Sequence, residues 1–175
     1  HSGARAVLCA TGATLLSWQQ ATADGPLELI DGYASAAELL SQAGVRSGIM
    51  APFSNRVAAA RYRFDGVLHD LQPGVAEAER LIYHGFLRGL ELPVVATRAD
   101  DAAASVTLAC TAIRPGAFAG YPFAVDLRIG FTATPANLAQ LRKVYELSLQ
   151  LGVEFTATVA QNSEVYYATD RNERL

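Results

Sequence analysis

Basic residues, long apolar runs and cysteines are all scarce in this chain, and each scarcity closes off a class of function. Its 14 Lys and Arg are outnumbered by 17 Asp and Glu, giving a net charge of −3. No basic stripe of the kind a phosphate backbone requires is present, so nucleic acid is not an expected partner and a neutral or weakly charged ligand fits better. No run approaches the ~20 apolar residues needed to span a bilayer, and no charged-then-apolar leader opens the chain, so the expectation is a soluble, cytoplasmic protein without membrane association. The two cysteines, Cys9 and Cys110, lie far apart and show neither metal-ligand nor redox spacing. They read as buried thiols of a reducing compartment, and no metal or other cofactor is expected.

Linkers are missing too. There is no Ser- or Pro-rich stretch, no low-complexity tract and no repeat of fixed period, so residues 1–175 read as a single domain. With 51% of its residues apolar, a chain of 175 can bury a real core. The opening His1-Ser2-Gly3 reads as the scar of an expression tag, and His1 carries no functional weight.

What is present is a series of short apolar or alternating pieces punctuated by Gly, Pro and Asp, the pattern of strands joined by turns. Residues 6–10 and 13–18 flank Thr11-Gly12 as a hairpin, and residues 27–30 follow the turn signal Asp24-Gly25-Pro26. Residues 61–64 and 67–71 flank Asp65-Gly66, a dipeptide that favours a type I′ turn, so Tyr62 and Phe64 are expected on one face. Residues 105–113 and 123–131 alternate well enough for paired strands, with Asp126 and Arg128 on a polar face. Helical character is confined to residues 35–43, where Ser35 and Glu38 form a capping-box pattern, and to residues 135–145, ahead of a strand-like stretch at 149–159. Strands dominate, and the expected fold is an all-β, antiparallel β-sandwich.

Two short segments carry candidate chemistry. In Pro52-Phe53-Ser54-Asn55-Arg56 an amide and a guanidinium stand side by side. Asn offers donor and acceptor, Arg a rigid fork of donors, and the pair suits the mixed demands of sugar hydroxyls. In Tyr83-His84-Gly85-Phe86 a histidine sits between aromatics, beside a glycine that lets backbone approach closely. Histidine gives or takes a proton near neutral pH, so His84 is the candidate catalytic group, while His69, beyond the Asp65-Gly66 turn, reads as an exposed strand residue.

The order of these motifs resembles that of the aldose 1-epimerases, or galactose mutarotases. A Gly12-Ala13 strand start with Ser17-Trp18 comes first, then Pro52-Phe53-Ser54-Asn55-Arg56, the Tyr62-Arg63-Phe64-Asp65-Gly66 hairpin, His84-Gly85, and Gly120-Tyr121-Pro122-Phe123. The resemblance covers about residues 6–162 and implies the galactose mutarotase-like supersandwich. It also implies that Arg56 and His84 line a sugar pocket with Asn55 beside them, holding the ring oxygen and hydroxyls of a small-molecule aldose.

The implied chemistry is α/β anomer interconversion. A base takes the C1 hydroxyl proton, an acid protonates the ring oxygen, the ring opens, C1 turns over and the ring closes, with no metal or nucleotide needed. The alternative is a sugar-binding sandwich without turnover. It arises because the family's main acid, in a His-x-Tyr-Phe motif after the strand expected at 154–162, and its late glutamate base have no counterpart here; Glu164 and Glu173 lie in no matching motif. The resemblance thus implies an incomplete sandwich, whose open strand edges favour self-association. A phosphorylated hexose is a further option through Arg61, Arg63 and Arg80.

Overall fold

The computed structural model describes residues 4–41 and 43–134. The readings at 135–145, 149–159 and 154–162, and Glu164 and Glu173, lie outside the described residues. Among the described residues eight strands form three antiparallel sheets: β1 (Arg5–Cys9), β2 (Thr14–Thr22) and β3 (Gly25–Glu28) in order; β4 (Arg61–Phe64) with β5 (Val67–Asp70); and β6 (Val94–Ala99), β7 (Ala104–Ile113) and β8 (Val125–Ala133) in order. The fold is all-β and sandwich-like, as the short alternating pieces required.

Two bulges set which side chains reach the core. In β2 the partners of Val7 and Leu8 are Ser17 and Leu15, so Leu16 is an extra residue. It shifts the alternation by one, which is why Leu15 and Trp18, three apart, are both buried. In β7 the register slips between Cys110 and Ile113, leaving Thr111 and Ala112 exposed while Leu108, Cys110 and Ile113 all point inward. Their partners Val125, Leu127 and Ile129 keep strict period two, with Asp126 and Arg128 on the other, more exposed face. Each such aliphatic side chain stabilises the fold by roughly 1.5–3 kcal/mol through burial. Phe131 packs against both this core and the smaller one of Leu15, Trp18 and Leu29, joining the first and third sheets.

The β4–β5 hairpin forms as its sequence dictates. Asp65 (φ 49°) and Gly66 (φ 77°) both take the left-handed conformation of a type I′ turn. Tyr62 and Phe64 share a face, since Tyr62 stacks on His69 at 4.8 Å while Phe64 and His69 both reach Phe123. His69 is therefore half-buried in an aromatic stack rather than an exposed strand residue. At the hairpin's foot Asp70 bonds Arg80 Nη1 at 2.7 Å and Arg61 Nε at 3.3 Å, and the Arg80 side chain is only 5% exposed. The Arg80 hydrogen bond holds the Asp70 carboxyl below its usual range.

Other local expectations shift modestly. The helix α1 (Ala36–Ser41) is shorter than residues 35–43 but capped as read: Ser35 Oγ accepts from the Glu38 N–H, and the Glu38 carboxylate accepts from the Ala34 N–H at 2.8 Å. Strand β3 begins at Gly25, two residues before the expected 27, because the turn is Ala23-Asp24. Pro26 is admitted because β3 lies at the edge of its sheet. Strand β6, with Val94 and Val95 about half exposed, has no counterpart in the sequence reading. Of the two free thiols Cys110 is buried, but Cys9 only partly so. No helix among the described residues is long and apolar enough to cross a membrane.

Candidate functional site

The site is built on residues 82–92, a stretch without regular strand that meets the Gly12 turn, the 51–57 segment and Tyr121 directly. Its far end pairs with the β1–β2 turn: Gly12 N–H donates to Leu90 O at 2.8 Å, and Leu92 N–H to Ala10 O at 2.9 Å. Leu87 and Leu92 are fully buried and anchor the stretch in the main core. Its near end carries residues 51–57. Ala51 bridges Gly85, Arg56 bridges Tyr83, and Ala51 O accepts from both Phe86 N–H (2.7 Å) and Leu87 N–H (3.2 Å).

This approach is so close that only glycine fits at 85. A Cβ there would lie 1.8 Å from Ala51 O. Gly85 (φ 70°) and the preceding His84 (φ 61°) are both left-handed, an uncommon and costly conformation for histidine that surrounding contacts must hold. They do so: His84 N–H donates to Asn55 O at 3.3 Å, and His84 Nδ1 lies 2.9 Å from Ser54 O. A carbonyl oxygen only accepts, so Nδ1 carries the hydrogen and Nε2 is the nitrogen left for a ligand.

Asn55-Arg56 and His84, distant in sequence, are thus brought together by direct backbone pairing. Asn55 Oδ1 is occupied by the Arg56 N–H at 2.8 Å, which leaves its amide hydrogens to donate outward. Arg56 is exposed, and its guanidinium stands 5.7 Å from the centre of the Tyr83 ring. Arg88 approaches the same ring at 5.0 Å, and the His84 imidazole meets it edge-on at 4.9 Å. Arg88 was not singled out from sequence and Tyr83 only as an aromatic flanking His84, although an arginine four residues past His84 in an apolar stretch was a readable signal. By contrast Arg61 and Arg80 are committed to Asp70, and Arg63 bonds Gly66 O, so these three do not form a phosphate site.

Aromatic rings connect this region to the remaining motifs. Phe86 stacks on Phe118 at 4.1 Å and meets Phe53 and Tyr121 edge-on, and Tyr121 leads through Phe123 to Phe64 and His69. The Tyr62 hydroxyl donates to Gly120 O at 2.8 Å. Gly120 is as constrained as Gly85, since a Cβ would lie 2.0 Å from Asp70 O. No three His, Cys, Asp or Glu side chains converge among the described residues.

A sequence model of the aldose 1-epimerase family matches residues 1–155. The chain belongs to the aldose 1-epimerase family. Solved structures agree on the fold of this family member. It is similar to galactose 1-epimerase from Lactobacillus acidophilus NCFM (TM-score 0.61, 18% identity, 78% of this chain covered). It is similar also to the GalM/aldose epimerase homologue from C. elegans (TM-score 0.51, 21% identity, 76% covered). The chain spans 39% of the length of each of these structures. No curated protein matches it by sequence.

Proposed function

We propose that Asn55, Arg56 and His84 hold the ring of an aldohexose in this family member, and that the reaction served is interconversion of its α and β anomers. The observation that carries the reading is the His84 tautomer: Ser54 O takes the Nδ1 hydrogen and leaves Nε2 free to meet a ligand, on a turn whose backbone pairs with that of Asn55 and Arg56. Neutral Nε2 accepts a hydroxyl hydrogen, and protonated Nε2 donates to the ring oxygen, which is where charge develops as the ring opens. Arg56 adds a permanent cation that favours oxygen over carbon neighbours and orients the hydroxyls.

Two further parts of the reading rest on single observations. The free thiols of Cys9 and Cys110 support a reducing, cytoplasmic setting. The β6 edge, whose residues are all exposed, supports self-association.

The test is polarimetric. Fresh α-D-galactose and α-D-glucose should lose optical rotation faster with the protein than in buffer alone. His84→Ala should cut that acceleration by at least about a hundredfold, the usual worth of a positioned acid or base. A wild-type rate equal to buffer rejects turnover, and saturable aldose binding in the same sample would then favour the sugar-binding module.

A further inference from the structure

The residues leading into His84 form a short extended piece with a neighbour on each side. Successive residues of such a piece turn their N–H and C=O to opposite sides. Ile82 and His84 face the 55–57 segment: Ile82 O accepts from Val57 N–H at 3.2 Å, and His84 N–H donates to Asn55 O at 3.3 Å. Both bonds exceed the usual length of about 2.9–3.0 Å, so the pairing that lays Asn55 and Arg56 beside His84 is thin. Leu81 faces the other way, where a side chain rather than a strand meets it. Gln72 Oε1 accepts from Leu81 N–H at 2.9 Å, and Gln72 Nε2 donates to Leu81 O at 3.1 Å.

Bonds to both the N–H and the C=O of one residue are what a neighbouring antiparallel strand supplies. The glutamine amide can supply them because it donates and accepts at once, whereas glutamate of equal length only accepts when ionised and methionine has no donor. Gln72 is itself fixed. Its N–H donates to Asp70 Oδ1 at 3.0 Å and its C=O accepts from Val75 N–H at 3.2 Å. Asp70 is held in turn by Arg80, which also donates to Val75 O and Ala59 O. The amide thus reaches Leu81 from a base already ordered, and little further freedom is lost in making the contact.

We propose that Gln72 is a positioning residue for the sugar site: its side chain acts as a one-residue strand that holds Leu81 and so sets His84 against Asn55 and Arg56. The inference rests on the sugar-site reading given above and extends it to a residue that acts through Leu81 rather than on the sugar. Residues 76–79 are exposed and take no part in this contact, so changes to their side chains should not reach the site.

The test compares the full chain carrying Gln72→Met, which keeps the length of the side chain but removes both bonds, with the full chain carrying Glu79→Gln. Two quantities are read: the His84 Nδ1–H signal in histidine-selective proton–nitrogen spectra without sugar, and D-galactose affinity by calorimetry. Gln72→Met should shift or broaden the His84 signal and weaken galactose binding about fivefold, the size of one net hydrogen bond. Glu79→Gln should match wild type in both. A purely structural Gln72 would lower the urea midpoint of Gln72→Met yet leave the His84 signal and the affinity of the folded protein as in wild type, and that result overturns the proposal. Wild type alone supplies a second readout: Leu81 N–H should exchange with water at least about tenfold more slowly than in an unfolded chain. Exchange at the unfolded rate overturns the proposal whether or not the variant folds. A wild type that binds no aldose overturns the sugar-site reading instead, and the His84 signal of Gln72→Met still decides whether Gln72 positions the turn.

Discussion

At the scale of single residues, the decisive feature is Gly85. Its backbone comes so close to Ala51 that the loop carrying Asn55 and Arg56 is laid directly on the His84 turn. Gly85→Ala should therefore destabilise the fold by about 3 kcal/mol or more, combining left-handed strain with a clash against backbone that has no rotamer to give. Urea unfolding measures this, and a loss below about 1 kcal/mol, the size of an ordinary exposed Gly change, would show that the approach is looser than described. The residue types were readable: an amide, a guanidinium, a histidine and the glycine that follows it all stand in the sequence. What could not be read was the hydrogen-bond state of His84, because its partner is a main-chain carbonyl, Ser54 O, and carbonyls carry no side-chain signature.

At the scale of elements, the β4–β5 hairpin is tied to the rest of the fold at its foot. Asp70 is gripped by Arg80 and Arg61, and its carboxyl pKa is lowered chiefly by the Arg80 hydrogen bond. A depressed folded pKa means that the ionised form is favoured in the native state. The stabilisation is thus complete above the ordinary aspartate value of 3.8 and is lost as pH falls below it through the depressed folded value. Wild type should exceed Asp70→Asn in urea midpoint at neutral pH, with the gap closing in that acid range. A gap unchanged down to the acid limit would mean that the carboxylate charge contributes nothing.

The hairpin itself was legible because Asp65-Gly66 permits few turns and alternation fixes the faces. Strand β6 was not, for its six residues are all exposed and so show no alternation between core and solvent. The bulges at Leu16 and at Thr111-Ala112 were equally hidden, since they appear in sequence only as a broken period.

At the scale of the whole molecule, the Gly12 turn, the 51–57 segment and Tyr121 meet on residues 82–92, and the hairpin joins them through Phe123. The sandwich class was legible from strand density alone, whereas the contact between the first and third sheets, made through Phe131, depends on tertiary packing that no local pattern encodes. The exposed β6 edge leads to a further expectation. Sedimentation velocity should show a concentration-dependent shift toward dimers or larger species, weakened by Val95→Lys, which puts a charge on that edge. A single monomeric species at all concentrations would remove self-association from the account.

The central claim is that His84 meets the sugar through Nε2 while Ser54 O holds Nδ1. Histidine-selective proton–nitrogen correlation spectra test it most directly, since the sequence has only 3 histidines and His84→Ala assigns the signal. On titration with an aldose, the His84 Nε2 resonance should move saturably while its Nδ1–H stays in place. An Nε2 resonance unmoved by every aldose tried, neutral or anionic, would contradict it.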